Sequence, residues 1–322
     1  MIPIRDAVRS AHFPLVNWLL IAANSLAFFW QLSLGPRLQE AVFLYGIVPM
    51  RYSDPVAAAH FSLFEQVLPF FTSMFLHGGW LHILGNMWFL YIFGDNIEER
   101  LGSIRYLLFY LLCGIAAGLI HLVTNWHSRL PTIGASGAIA GVMGAYVLLF
   151  PGARILTLVP IFFFVQFFEI PAFIFLGYWF LIQLLSAGLT PSDMGGVAWW
   201  AHIGGFVTGA VLVKIFDRLP RSSVSKRISQ YTERHRSPRL HAISPWSSPE
   251  DLHSYGVIHI TPREAYFGTK KLVHVPQEGR RKTILVTVPP GVEEGKMLRL
   301  AGLGKRDEEG NRGDLFLEVK IG

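Results

Sequence analysis

Six long stretches of this chain contain no Asp, Glu, Lys or Arg. Each can supply the roughly 20 apolar residues that a membrane-spanning helix needs. Together they predict six spans, in the gaps bounded by charged residues 9 and 37, 65 and 95, 105 and 129, 129 and 154, 169 and 193, and 193 and 214. A further apolar stretch, 155–168, is too short to cross a bilayer, so we expect it to be interfacial or partly buried. A soluble protein with six buried hydrophobic helices is the alternative, and it fits this pattern less well.

The composition supports a membrane protein. Hydrophobic residues make up 52% of the 322 residues and charged residues only 16%, with a mean hydropathy of +0.40. A soluble protein is rarely so apolar. The single cysteine, Cys113, lies in an apolar stretch. It excludes a disulfide scaffold and a cysteine-built zinc or iron–sulfur site, and we expect no cofactor.

The formal net charge of +6 is placed where it would orient a membrane protein. Six spans put both termini on one side, and the positive-inside rule favours the cytoplasm. On that topology the inner loops hold Arg5, Arg9, Arg100, Arg105 and Arg154, and the outer loops hold Arg37, Arg51 and Arg129. The last span is followed by Lys214, Arg218, Arg221, Lys226, Arg227, Arg234, Arg236 and Arg239. This basic stretch is more typical of a site beside anionic lipid than of a nucleic-acid-binding patch.

The chain changes character after the last span. Residues 221–250 are rich in Ser, Pro and Arg and show no apolar period, which is typical of a linker. A small β-rich module follows, with strands predicted at 257–260, 271–275, 283–288, 297–300 and 315–321. We therefore expect a membrane domain over 1–220, a linker over 221–250 and a soluble domain over 251–322.

Four polar side chains lie in the first turns of three predicted spans, where burial in lipid is expensive and indicates function. His82 and Asn86 are one turn apart near the start of the second span. Ser136 begins the fourth span, and His202 is near the start of the sixth. Because these three spans run in the same direction, we expect the four side chains to meet in one cavity below the outer face. His77, at the mouth of the second span, would admit water.

This combination suits acyl transfer. Ser136 would attack a carbonyl group, with His202 as general base and then general acid. The oxyanion would be met by the Ser136 backbone N–H and the side chains of His82 and Asn86. Close approach of the fourth and sixth spans is permitted by Gly134, Gly137, Gly141, Gly205 and Gly209.

Each motif taken singly also has a structural explanation. The glycines around Ser136 are typical of helix packing, Asn86 of an interhelical hydrogen bond, and His202 of a satisfied buried histidine. Other chemistries fit less well. The sequence has no His-Glu-x-x-His zinc motif, and Asp95 and Asp217 fall at span ends rather than opposite each other as an aspartyl pair would.

The motifs together resemble the rhomboid family of intramembrane serine proteases over about residues 10–218. They are Gly-x-Ser-Gly at 134–137, Ala-His-x-x-Gly at 201–205, His-x-x-x-Asn at 82–86, and the turn formed by Gly94, Glu98 and Gly102. The resemblance implies Ser136 as nucleophile, His202 as general base, and His82 and Asn86 as oxyanion partners. It also implies that Glu98 holds the turn between the second and third spans.

Two positions depart from that family. Many members carry an aromatic residue one turn after the serine, stacked on the histidine, whereas this chain has Ala140. Another group must then orient His202, for example Trp199 or Trp200. The Trp-Arg pair common in the first outer loop is also absent, and Pro-Met-Arg-Tyr at 49–52 is the nearest equivalent.

The soluble module has its own pattern of motifs. These are Thr-Pro-Arg-Glu-Ala-Tyr-Phe-Gly at 261–268, Pro-Pro-Gly-Val-Glu-Glu-Gly at 289–295, Leu-Arg-Leu-Ala-Gly at 298–302 and Gly-Asp-Leu-Phe at 313–316. Residues 256–321 thereby resemble the C-terminal peptide-binding β-domain of DnaJ (Hsp40) co-chaperones. The chain lacks the His-Pro-Asp motif of a J-domain and the cysteines of that family's zinc module, so Hsp70 stimulation is not implied. Binding of extended polypeptide at a sheet edge and a purely structural role both remain open.

The two resemblances imply a polytopic α-helical membrane protein, with a six-helix rhomboid bundle and a small soluble β-sandwich-like domain. The implied function is cleavage of transmembrane or membrane-proximal protein segments by a Ser-His pair, in a bacterial inner membrane with cytoplasmic termini. The expected partners are transmembrane substrates, the lipid bilayer and extended polypeptide at the tail, but not nucleic acid. The alternative is a non-catalytic rhomboid-like protein that binds and escorts membrane clients.

Overall fold

The computed structural model describes the chain apart from residues 9, 162–163, 190–196, 220–222, 233–239, 243–244, 248–250, 278–279 and 308–309. It divides into two compact units, Met1–Arg234 and His235–Gly322. The first unit is mainly helical, and the second consists mainly of strands. The predicted fold class, a helical membrane unit with a small β unit, is confirmed.

Each of the six charge-free stretches contains most of one helix, and these helices have 14 to 22 residues. In chain order the helices of the first unit are α1 (Leu15–Ser33), α2 (Leu38–Tyr45), α3 (Met50–Ser53), α4 (Pro55–Ala59), α5 (Leu63–Val67), α6 (Pro69–Thr72), α7 (Trp80–Leu101), α8 (Ser103–Thr124), α9 (Ser136–Leu149), α10 (Ala172–Leu189), α11 (Trp199–Arg218) and α12 (Ser223–Thr232). Short 3-10 turns occupy Gly35–Arg37 and Ser73–Phe75. The helices of the charge-free stretches are α1 and α7 to α11. The short helices α2 to α6 lie between α1 and α7 in the chain.

The prediction of six complete spans needs correction. Within the described residues, α1, α8, α10 and α11 are long and apolar enough to cross a membrane. Helix α7 reaches that standard only together with Leu63–Phe75, to which it is bent by 79°, because polar residues such as His82, Asn86 and Asp95 lower its hydropathy. Helix α9 has only 14 residues, or about 21 Å, since part of its charge-free stretch forms the irregular segment before Ser136. The chain is therefore a multi-pass membrane protein with four or five candidate spans.

Helices α9 and α11 pack with their backbones in contact. A Cβ atom on Gly205 would lie 2.0 Å from the carbonyl oxygen of Gly137, and one on Gly209 would lie 2.0 Å from that of Gly141. A Cβ atom on Gly144 would lie 2.1 Å from the carbonyl oxygen of Phe206. Small residues allow this approach, which is a main source of helix association in membranes.

The turn between α7 and α8 also holds the start of α1. The Glu98 carboxylate accepts hydrogen bonds from the backbone N–H groups of Val16 and Asn17, at 3.1 and 2.8 Å. It accepts a third from the Ser103 hydroxyl, at 2.6 Å. A carboxylate is favourable at a helix N-terminus, where N–H groups lack intrahelical acceptors. Glu98 therefore ties α1, α7 and α8 together, one helix more than the sequence motif predicted.

The two glycines of this turn are needed for different reasons. Gly102 separates α7 from α8 with φ of +81°, a conformation that side chains disfavour. A Cβ on Gly94 would lie 2.0 Å from Asn17 Oδ1, the atom that accepts a hydrogen bond from the Tyr106 hydroxyl at 2.6 Å. Gly94 thus lets α1 come close to α7.

The apolar stretch 155–168 forms most of a β-hairpin. Strand β1 (Ile2–Asp6) pairs with β2 (Arg154–Ile161), which pairs with β3 (Phe164–Pro171), both in antiparallel register. The stretch is rich in Ile, Val and Phe, which favour strands. The Asp6 carboxylate accepts hydrogen bonds from Asn96 and the Tyr146 hydroxyl, both at 2.6 Å, and burial raises the pKa of Asp6. The sequence did not predict that the N-terminus joins this sheet.

Part of the predicted linker, 221–250, is helical. Helix α12 carries Val224, Ile228 and Tyr231 at helical spacing, a periodicity that sequence analysis missed. The Ile104 N–H donates to the Ser225 hydroxyl at 3.4 Å, and the Phe13 N–H to the Thr232 carbonyl at 2.7 Å. The first unit therefore continues beyond the expected boundary at 220, to Arg234. Of the basic residues discussed above, those outside the described part of the chain are Arg9, Arg221, Arg234, Arg236 and Arg239.

The second unit contains two three-stranded sheets. Its elements are β4 (Leu240–Ala242), β5 (Ser254–Ile260), α13 (Pro262–Phe267), β6 (Thr269–Gln277), β7 (Arg280–Val288), β8 (Met297–Leu300) and β9 (Leu315–Ile321). The sheet orders are β4-β6-β7 and β5-β9-β8, and side chains of both sheets form one hydrophobic core. All five predicted strands are present. The sequence did not predict β4 or α13, although Thr261 and Glu264 form a capping box at the start of α13.

We expect Gly205→Ala to destabilise the membrane unit by about 1–3 kcal/mol, because the added methyl group cannot fit against the Gly137 carbonyl. Thermal unfolding in detergent measures the effect. The matched control is Gly177→Ala on α10, where an added Cβ meets nothing within 4 Å. Equal melting temperatures for the two variants would contradict the close contact of α9 and α11.

Candidate active site

Ser136 and His202 are joined by a direct hydrogen bond. Ser136 is the first residue of α9, and His202 lies in the first turn of α11. The distance from Ser136 Oγ to His202 Nε2 is 2.8 Å. The pair is thus in position for proton transfer from hydroxyl to imidazole.

His82 and Gly134 border the space beside the serine. The Gly78 N–H donates to His82 Nδ1 at 3.3 Å, so the neutral ring carries its proton on Nε2. A Cβ on Gly134 would lie 2.8 Å from that Nε2 and 3.6 Å from Ser136 Oγ. Gly134 has φ of +130°, a backbone conformation available to glycine. An N–H donor and the hydroxyl therefore face the same small volume.

Asn86 is one turn after His82 and is 8% exposed. In the described part of the chain, its Nδ2 has no hydrogen-bond partner, although the residue lines the same cavity as Ser136. A buried amide N–H without a partner is costly and therefore unusual. Such a group is available to stabilise negative charge that develops on a bound molecule.

His77 is not at the mouth of the site. Its side chain is buried, 2% exposed, with its ring edge-on to His82 at a centroid distance of 5.1 Å. Gln31 of α1 holds its backbone through hydrogen bonds of 2.8 and 3.1 Å. The expected water-access role of His77 is therefore not supported by its position, whereas Gly78 and Gly79 do line the cavity.

The four polar residues border a cavity of about 1040 Å³. Its walls come from the starts of α7, α9 and α11, the end of α8, α10 and the segments that join them. The cavity also reaches His121 and Thr132, whose Nε2 and Oγ1 are 2.6 Å apart and which sequence analysis did not single out. The space is sufficient for a peptide segment and water together.

The group that contacts the far side of His202 is Gln183 of α10. Gln183 Oε1 lies 2.8 Å from His202 Nδ1, and the side chain is 4% exposed. The Trp179 ring is 5.8 Å from the imidazole centroid, tilted by 33°, and the Trp199 ring is 6.3 Å away and nearly perpendicular. Trp199 is one of the two tryptophans that we expected from the sequence to orient His202. Gln183 and Trp179 were missed, although Gln183 is an amide inside a span and the rule that selected Asn86 applies to it equally.

Arg51, the arginine of Pro-Met-Arg-Tyr at 49–52, holds together the chain segments between α1 and α7. Arg51 is 4% exposed, and it donates to the carbonyls of Phe43, Leu44 and Glu65. Its guanidinium lies 4.2 Å from the centroid of the Phe61 ring. The absence of tryptophan at this position thus leaves a buried arginine that still organises the loop between α1 and α7.

The chemistry of the site is that of a hydroxyl nucleophile with an adjacent base and nearby N–H donors. Among the described residues, no group of three or more His, Cys, Asp or Glu is arranged to hold a metal ion. The Ser136 hydroxyl, the His202 imidazole and the donors of His82 and Asn86 are the parts that acyl transfer uses.

Comparison with known proteins agrees with both sequence resemblances. Residues 65–218 match the Rhomboid domain. The first unit therefore contains a Rhomboid domain. Residues 256–322 match the DnaJ C terminal domain, so the chain joins a rhomboid domain to a domain of a second family.

Similar proteins come from plants and from a bacterium. Rhomboid-like protein 11, chloroplastic, of Arabidopsis thaliana is 29% identical over 174 residues, covering 50% of this chain and 56% of that protein. RHOMBOID-like protein 6, mitochondrial, of the same plant is 34% identical over 169 residues, covering 52% and 50%. The rhomboid relative YdcA of Bacillus subtilis is 37% identical over 76 residues, covering 24% and 38%. The chain spans about half the length of the two plant relatives.

We expect a fluorophosphonate probe to label Ser136, because the hydrogen bond to His202 raises the nucleophilicity of the hydroxyl. Labelling, mapped by mass spectrometry, disappears in Ser136→Ala and falls about 100-fold or more in His202→Ala. Ser128→Ala serves as control, since Ser128 also lines the cavity. Full labelling of His202→Ala would contradict the assignment of His202 as base.

Proposed function

We propose that this chain is an intramembrane serine protease that cleaves transmembrane or membrane-proximal segments of other proteins. The observation that carries the proposal is the 2.8 Å hydrogen bond between Ser136 and His202, at the wall of a cavity large enough for peptide and water. The match of residues 65–218 to the Rhomboid domain supports it. Both reacting groups lie in the first turns of their helices, so the cleaved bond would be near one face of the bilayer.

The first half of the reaction forms an acyl-enzyme. Ser136 Oγ attacks the substrate carbonyl carbon while its proton passes to His202 Nε2. The oxyanion is stabilised by His82 Nε2–H, Asn86 Nδ2–H and the N–H groups at the start of α9, which have no intrahelical acceptors. His202 then gives its proton to the leaving amine, and the C–N bond breaks.

The second half regenerates the enzyme. A water molecule in the cavity replaces the departed amine and loses a proton to His202 Nε2 as its oxygen attacks the ester carbon. The tetrahedral intermediate collapses, the bond to Ser136 Oγ breaks, and His202 returns the proton to the serine. No metal or other cofactor takes part in these steps.

We propose the orientation that the basic residues after α11 favour, with the C-terminal end of α11 on the cytoplasmic side or its organellar equivalent. The two plant relatives carry chloroplast and mitochondrial names, and a further relative is bacterial. These relatives do not single out a bacterial inner membrane. The charge argument concerns the orientation and holds in any of these membranes.

For the second unit we propose binding of extended polypeptide. Strand β7 is an edge of its sheet, and its Leu285 side chain is 52% exposed. An open edge with an exposed apolar residue can accept a further strand through backbone hydrogen bonds, with side-chain contacts added. Such binding would retain a substrate near the membrane unit.

We expect wild type to cut a model transmembrane substrate, and Ser136→Ala to be inactive, because the nucleophilic oxygen is absent. Gel electrophoresis and N-terminal sequencing of the product measure the cut. Retained cleavage by Ser136→Ala would remove that residue from the mechanism. Wild type that binds membrane clients without cutting them, and is not labelled by the probe, would instead indicate the escort function.

We expect a chain that ends at Arg234 to cut a short detergent-solubilised substrate with kcat within about twofold of wild type, because the first unit has its own core. Truncation there keeps α12, which contacts residues before α1 and at the start of α8. For a substrate with a long soluble extension, KM should rise when the second unit is removed. An unchanged KM for the long substrate would refute polypeptide binding.

A further inference from the structure

Gln183 borders the His202 imidazole on the side away from Ser136. It lies in the third quarter of α10, with its side chain buried, and its amide oxygen is 2.8 Å from His202 Nδ1. The other ring nitrogen, Nε2, is 2.8 Å from Ser136 Oγ. The three side chains therefore form one continuous hydrogen-bonded row from α10 through α11 to α9.

The orientation of the Gln183 amide follows from its second contact. Gln183 Nε2 donates to the Trp179 carbonyl at 3.1 Å, one helical turn earlier on α10. In the flipped orientation, two oxygen atoms without a hydrogen between them would face each other at that distance, which is unfavourable. Gln183 Oε1 must therefore be the atom directed at the imidazole, and an amide oxygen can only accept a hydrogen bond.

The direction of that bond determines the tautomer of His202. Because Oε1 accepts, Nδ1 must carry the hydrogen of the neutral ring. Nε2 then has a free lone pair aimed at the Ser136 hydroxyl, as a general base requires. The opposite tautomer would place an N–H group against the hydroxyl and leave no base beside the nucleophile.

Two aromatic rings lie beside the imidazole, and Gln183 contacts its Nδ1 edge. Trp179 and Trp199 approach it at centroid distances of 5.8 and 6.3 Å. Ala140 on α9 has no ring to contribute. Gln183 and Trp179 are one turn apart on α10, so a single helix supplies both the acceptor and one aromatic wall.

We propose that Gln183 is the third member of the site, a positioning residue that fixes His202 in the Nδ1–H tautomer and accepts from the imidazolium that forms during the reaction. The role rests on the proposed protease function and deepens it. A neutral amide suits a buried position in a membrane protein, because a carboxylate there would have to be desolvated.

Replacing Gln183 with leucine tests this role in the full-length enzyme. We expect Gln183→Leu to lower kcat about 10- to 100-fold with KM within about twofold, since the acceptor acts on the base rather than on substrate binding. Ser186→Ala, which removes another polar group from α10, is the matched control and should retain wild-type kcat. Wild-type kcat in Gln183→Leu would overturn the proposal while the Ser136 and His202 results still supported proteolysis.

A carboxylate at the same position separates positioning from a merely structural role. Gln183→Glu keeps an acceptor at His202 Nδ1 and adds negative charge, which favours the charged imidazolium. We expect kcat to recover to within about tenfold of wild type, with the acid limb of the pH–rate profile moved up by about one pH unit. A pH profile unchanged from wild type, together with a kcat as low as that of Gln183→Leu, would show that residue 183 does not communicate with the base.

The tautomer of His202 can also be measured in the absence of substrate. In full-length protein labelled with ¹⁵N-histidine, the His202 signals are assigned by comparison with His202→Ala. We expect wild type to carry its proton on Nδ1, and Gln183→Leu to show an increased Nε2–H population. A wild-type proton on Nε2 would overturn the proposal even if no substrate is ever cleaved, so its failure can be distinguished from failure of the protease function.

Discussion

The backbone contact between α9 and α11 sets the geometry of the candidate site. Ser136 and His202 lie in the first turns of these two helices, so the 2.8 Å between their side chains depends on how closely the helices approach. That approach requires glycine, because a Cβ on Gly205 would lie 2.0 Å from the Gly137 carbonyl. Packing of this kind is also what holds helices together in lipid, where the hydrophobic effect between them is weak. One contact therefore stabilises the bundle and places the Ser136 hydroxyl beside the His202 imidazole.

Several polar groups inside the membrane unit are arranged in sets that satisfy one another. Glu98 accepts three hydrogen bonds, and Gln183 both accepts and donates. Arg105 caps the end of α11 by donating to the carbonyls of Phe216 and Leu219. Asn86 Nδ2 differs, since it has no partner among the described residues. The ring nitrogens of the buried His77 also have no partner among these residues, but only Asn86 lines the cavity beside Ser136. A partnerless donor at the cavity wall is consistent with a site that completes its hydrogen bonds only when a substrate is bound.

Two arginines that the positive-inside argument counted as loop charges are buried structural groups. Arg51 is 4% and Arg105 8% exposed, and both donate to backbone carbonyls at helix or loop ends. Cations are favourable near helix C-termini, where carbonyl groups lack intrahelical donors. Arg51 and Arg105 therefore contribute less to membrane orientation than their sequence positions indicate. The predicted orientation depends more on the basic residues after α11.

The membrane class, the places of six helices along the first unit and the five strands of the second unit follow from the sequence alone, because charge spacing and apolar periodicity are local properties. The sequence also placed Ser136, His202, His82 and Asn86 at helix starts, since motif spacing and helix direction are local too. Only the tertiary structure decided that α9 is short, that the N-terminus pairs with residues 154–161, that His77 is buried and that Gln183 meets His202. Each of these depends on contacts between residues distant in the chain. Such contacts are set by how helices and strands pack, which no local pattern of side chains encodes.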